Sequence, residues 1–122
     1  MKTLMESIIG RRGFNPNKIV PRLERALNDN AGVEELAEKH NVSFEAMRDL
    51  FNKVKETVRQ AGDMNIGDRE RAEWIDDFLE NSADELLDDP DLDRITREVN
   101  RNKDTLKDIV DDVADWMFMQ IR

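Results

Sequence analysis

The sequence predicts an all-α fold of six or seven helices, on three observations. Only five Gly and three Pro interrupt its 122 residues. Nearly every segment between them repeats its apolar residues at alternating spacings of three and four, the period of a helix with one buried face. No stretch alternates apolar and polar residues as a half-buried strand would. With 39% hydrophobic residues the chain can enclose one small core. A single domain is therefore expected, in which an N-terminal trihelical unit over 1–62 packs with an acidic helical hairpin or bundle over 63–122.

The first helix is expected over about 2–9, where Leu4, Met5, Ile8 and Ile9 form one stripe before Gly10-Arg11-Arg12-Gly13 makes a turn. A second, over about 16–27, buries Ile19, Val20, Leu23 and Leu27; Pro21 fits only within its first turn. Residues 28–32 read as a turn, followed by a short helix over 33–40. Ser43 is the expected N-cap of a long helix to about 60, with Phe44, Met47, Phe51, Val54 and Val58 inward. The run 61–67 breaks the pattern, and Asp68 is expected to cap a helix to about 88 that buries Ile75, Phe78, Leu79, Leu86 and Leu87. Pro90 ends it and opens a short helix carrying Leu92, Ile95 and Val99. The last helix starts at Asn102 or Asp104 and buries Leu106, Ile109, Val110, Val113, Met117 and Ile121.

Charge divides at the same place as the central break. Residues 1–62 carry 11 Lys/Arg against 9 Asp/Glu, net +2; residues 63–122 carry 8 against 19, net −11, together the −9 of the whole chain. A polyanionic half either repels nucleic acid or meets a cationic surface, and pairing with the basic half of the same molecule is the alternative. The absence of cysteine excludes disulfides and thiolate metal sites and fits a cytoplasmic protein. The longest apolar run is far short of the roughly 20 residues of a bilayer span, and no secretory signal is present.

Residues 33–50 resemble the helix-turn-helix pattern of many DNA-binding proteins. Leu36 and Ala37 stand where the first helix packs, Asn41 where the turn needs a positive φ, and Val42, Met47 and Leu50 where the second helix faces the core. The resemblance implies a reading helix that begins at Ser43 and presents Phe44, Glu45, Arg48, Asp49 and Asn52 to a major groove. Phosphate anchors would come from Arg11, Arg12, Lys18, Arg22, Arg25, Lys53, Lys55 and Arg59. Glu45 and Asp49 oppose that use, because a polyanion repels carboxylates.

In the acidic half, Asp108, Asp111, Asp112 and Asp115 recur at i, i+3, i+4 and i+7, and Glu73, Asp76, Asp77 and Glu80 repeat the arrangement. Each set shares one helical face. Such faces suit docking to a basic macromolecule. Trp116-Met117-Phe118-Met119 encircles its helix with large apolar side chains and marks Trp116 and Phe118 as anchors, with self-association through this helix as a further use. Asp88–Asp93 lacks the glycine and terminal Glu of a calcium loop and reads instead as a helix N-terminal cap. One histidine, no Cys, no Tyr and no glycine-rich phosphate loop leave catalysis without its usual parts. His40 is expected to interact with the last carbonyls of its helix. No enzyme activity, cofactor or metal is expected.

The opening Met1-Lys2-Thr3-Leu4-Met5-Glu6-Ser7-Ile8-Ile9 resembles the amphipathic start of internal head proteins and other small proteins of large tailed bacteriophages. In internal head proteins such a segment targets the capsid, and Leu4-Met5-Glu6 suits the apolar-x-Glu preference of phage head proteases. The resemblance implies a phage-encoded protein of the host cytoplasm.

The functional expectation is a small, non-enzymatic interaction protein docking on a basic macromolecular partner. Asp76, Asp77, Glu80, Asp108, Asp111, Asp112, Asp115, Trp116 and Phe118 would carry the docking. The alternative is a DNA-binding regulator or packaging factor using Arg11, Arg12, Ser43, Arg48, Asn52 and Lys55. A structural virion component is the third class.

Overall fold

The long amphipathic stripe expected after Ser43 becomes the central helix around which the others are arranged. A computed structural model describes residues 18–121. They form α1 (Ile19–Leu27), α2 (Asn30–His40), α3 (Phe44–Gly62), α4 (Asp68–Asn81), α5 (Ala83–Leu87), a 3-10 turn (Pro90–Leu92), α6 (Asp93–Glu98) and α7 (Lys103–Met119). Among the described residues there is no strand, and no helix is long and apolar enough to cross a membrane. The expected 2–9 helix, the Arg11-Arg12 turn and the phage-like opening lie outside the described residues.

α3 buries Met47, Leu50, Phe51, Val54 and Val58 and packs on α1, α2, α4, α6 and the 3-10 turn. α7 closes the other side, against α4, α5, α1 and α2. One core runs through both charge halves, joining Leu23, Leu27 and Val33 to Ile75, Leu92, Ile95, Leu106, Ile109 and Met117.

Helix ends follow local chemistry. Asn41 takes up φ 56° and ψ 46°, and the N–H groups of Val42 and Asn41 close on the carbonyls of Ala37 and Glu38 at 3.0 and 3.2 Å. This is the glycine-type helix stop made with asparagine. The same closure, unforeseen in the sequence, ends α6, where Asn100 has φ 56° and the N–H of Arg101 reaches the Thr96 carbonyl at 2.8 Å. Asn102, the first of the two expected caps, starts α7 by accepting from the Thr105 N–H at 2.9 Å.

Several boundaries differ from expectation. α1 starts at Ile19, which leaves Pro21 in its first turn. α2 starts three residues earlier than expected because Asp29 accepts the Ala31 N–H at 2.9 Å, so 30–32 is helix and not turn. The cap of α4 is Gly67, whose N–H donates to Glu70 at 3.3 Å; Asp68 is a first-turn residue and instead accepts the Lys18 backbone N–H. The expected helix to 88 is broken at Ser82 into α4 and α5. Phe44 and Phe78, both expected inside, are 37% and 36% exposed. Phe44 opens the first turn of α3, under the Arg48 guanidinium, and Phe78 stacks on Trp74 at 5.3 Å.

Gly32 sits in the first turn of α2 against the Trp116 ring: a Cβ there would lie 2.2 Å from Trp116 Cζ2. The indole also packs against Phe51, at 5.5 Å between ring centroids, so a shift away from residue 32 would disturb a packed contact. Gly32→Ala is expected to lower stability by about 1–3 kcal/mol, read from the urea midpoint. Trp116→Leu should shrink that difference; equal costs in both backgrounds would show that the indole is not what requires glycine at 32.

Candidate functional site

Ala72, Glu73 and Asp76 of α4 share a depression of about 530 Å³ with Asp115, Phe118 and Met119 of α7. One turn further along, Asp76, Leu79 and Glu80 share another of about 250 Å³ with Asp111, Ala114 and Asp115. Early α4 therefore faces late α7, so the two helices run antiparallel, and Asp76 and Asp115 belong to both depressions. The result is one groove with acidic walls and an apolar end, where Met119 is 62% exposed.

The charge in this groove is concentrated. Glu73 and Asp111 have same-helix partners, Arg69 at 3.9 Å and Lys107 at 3.3 Å. Asp76, Glu80 and Asp115 make no ion pair within 4 Å among the described residues, although Lys39 lies within electrostatic range of Asp115. Like charges one turn apart on a helix repel by roughly 0.2–0.5 kcal/mol per pair. Facing a second carboxylate-bearing helix adds to that repulsion, which a cation in the groove would relieve.

The structure sorts the expected docking residues. Asp76, Glu80, Asp111, Asp115 and Phe118 line the groove. Asp77 and Asp108 are exposed outside its lining. Asp112 departs from expectation: its Oδ2 takes Lys39 Nζ at 2.9 Å and His40 Nε2 at 2.8 Å. The Lys39 hydrogen bond, then that of His40, holds its carboxyl below the usual range against some desolvation. His40 thus pairs with a carboxylate of α7 and not with the last carbonyls of α2. Trp116 also departs from expectation, because its ring packs on the core against Phe51 and Gly32 and is no free anchor.

The helix-turn-helix-like segment keeps its internal geometry, with Leu36, Ala37, Met47 and Leu50 buried. Part of its expected reading face is occupied. The Ser43 N–H and Oγ–H donate to the two Glu98 oxygens at 2.7 and 2.6 Å, while Ser43 Oγ accepts the Ala46 N–H at 3.1 Å. Glu98 therefore holds the helix N-terminus that a phosphate would need, and the Ser43 hydrogen bonds lower its pKa. Arg48 donates to the Leu27 carbonyl at 3.4 Å, and Lys55 to Asn28 Oδ1 at 2.6 Å. Asp49 meets Arg94 at 3.7 Å. Lys53 meets Asp89 at 2.9 Å and Asp91 at 3.1 Å, and these bonds, Asp89 first, raise its pKa. Asn52 is exposed beside Asp49 and Asp91. Arg11 and Arg12 lie outside the described residues.

Sequence reasoning placed Met119 in the apolar run 116–119 but missed Glu98 as the partner of Ser43, and Ala72 as the α4 side of the groove's apolar end. It also missed Arg71, which is only 4% exposed and donates to the carbonyls of Ala61 and Met64 at 2.9 and 2.6 Å, tying the α3–α4 turn. A basic residue at a helix start carries no local signal for any of these contacts. No protein-family model, curated protein or solved structure matches the chain.

Glu98 and Asp112 both have folded pKa values below their ordinary 4.5 and 3.8. Each contributes stability that is present above those values and lost as pH falls through the folded ones. Asp112→Asn should therefore lower stability at neutral pH and flatten its decline below about pH 4, as followed by urea titration; an unchanged acid limb would remove Asp112 as a linkage group. Ser43→Ala removes both the cap and the Glu98 hydroxyl bond and should cost about 1–2 kcal/mol.

Proposed function

We propose that this chain is a non-enzymatic interaction protein whose α4–α7 groove docks a basic, amphipathic segment of a macromolecular partner. The observation that carries the reading is the convergence of Glu73, Asp76, Glu80, Asp111 and Asp115 on one groove that ends in Ala72, Phe118 and Met119. Several acidic residues elsewhere are tied internally, Asp89 and Asp91 by Lys53, Asp112 by Lys39 and His40, and Glu98 by Ser43, while Asp77 and Asp108 are exposed singly outside the groove. What distinguishes the groove is that its carboxylates converge from two facing helices beside an apolar end.

Magnitudes divide the work between the two ends. Exposed ion pairs contribute about 0–1 kcal/mol each, whereas fully burying a large apolar side chain contributes about 1.5–3 kcal/mol. The apolar end would anchor the partner. The carboxylates would set its orientation, its association rate and its salt dependence. DNA binding through 33–50 is the weaker reading, because Glu98 and Asp91 flank the face that would meet phosphates.

A fluorescein-labelled Lys/Leu amphipathic peptide should bind the purified chain, and binding should weaken between about 50 and 200 mM salt, the range over which contacts between opposite charges are screened. Asp76→Asn with Asp115→Asn should weaken it at least tenfold while far-UV circular dichroism stays unchanged. Capture at undiminished affinity by that variant, or tighter binding of random duplex DNA than of the peptide, would overturn the reading.

A further inference from the structure

We infer that the chain carries its own ligand for this groove: residues 1–17 occupy it in cis, and a partner must displace them. The inference rests on the groove reading above and adds its regulation.

The first argument is where the segment joins the fold. The Lys18 backbone N–H donates to both Asp68 oxygens at 3.2 Å, and Arg22 Nη2 donates to the Ile121 carbonyl at 2.6 Å. The chain therefore enters beside the start of α4 and the end of α7, which is the apolar end of the groove. The second argument is reach. Along α4, Ala72 stands about 6 Å and Glu80 about 18 Å from Asp68 at 1.5 Å rise per residue. An extended chain covers roughly 3.4 Å per residue. Four residues of extended chain before Lys18 are enough to bring Phe14 within range of Ala72, Phe118 and Met119, and seven and six are enough to bring Arg11 and Arg12 within range of Asp76, Asp115 and Glu80.

The third argument is complementarity. Residues 1–17 hold Lys2, Arg11 and Arg12 against the single acid Glu6, with Leu4, Met5, Ile8, Ile9 and Phe14 as apolar groups. This is the basic, amphipathic chemistry the groove selects. A short tether supplies an effective concentration in the millimolar range. A segment whose free peptide bound at about 0.1 mM would then fill the groove about nine-tenths of the time.

The chain has no cysteine, so Ser7→Cys in the full chain gives a single site for a nitroxide. In dilute, isotope-labelled protein the amide signals of Ala72, Asp76 and Phe118 should broaden, and Arg11→Glu with Arg12→Glu should abolish the broadening. The same double variant should bind the Lys/Leu peptide about tenfold tighter than the unmodified chain. Absence of broadening at the groove overturns the inference. So does broadening that occurs only when spin label and isotope are on different molecules, which assigns the groove to a second copy. If broadening is absent but the peptide binds, the groove reading stands and cis occupancy alone fails; if the peptide binds neither form, the groove reading fails with it.

Discussion

The rest of the fold depends on the burial of one face of α3 against elements from both charge halves of the chain. Met47, Leu50, Phe51, Val54 and Val58 are fully or almost fully buried, and no neighbouring element could cover that stripe alone. α1 and α2 from the first half and α4, α6 and the 3-10 turn from the second share it. A continuous apolar core of this kind brings a +2 segment and a −11 segment together whatever their charges would prefer at long range, because burial of large side chains outweighs screened surface electrostatics.

Once the halves are brought together, the charges sort by position. Several carboxylates near α2 and α3 find cations or helix ends: Asp112 finds Lys39 and His40, Asp89 and Asp91 find Lys53, and Glu98 finds the N-terminus of α3. Carboxylates on the opposite side, where α4 meets α7, face one another. Both helices come from the acidic half, so their shared groove receives little compensating charge. The packing of the core therefore creates the groove's field as a by-product of chain order.

The two outcomes at Ser43 and at Asp76 have the same cause and opposite structural results. At Ser43 a helix N-terminus with the geometry of a reading helix is closed by a carboxylate from α6. At Asp76 and Asp115 a surface with no inherited motif is left open, with an apolar end beside it. A motif read from spacing describes the first site, and electrostatic balance over the folded surface describes the second.

What the sequence determined by itself is local. The αL turn at Asn41, the caps at Ser43 and Asn102, the place of Pro21 and the inward stripes of α3 and α7 each depend on residues within a turn or two of one another. The tertiary structure decided whatever depends on residues far apart in sequence. The direction of Trp116 follows from the bare Cα of Gly32. The burial of Arg71 follows from two carbonyls at the end of α3 and the turn beyond it. The division of the acidic residues between internal ties and an open groove follows from which helix lies antiparallel to which. Helical periodicity says that a face is acidic, but only packing says what stands opposite it.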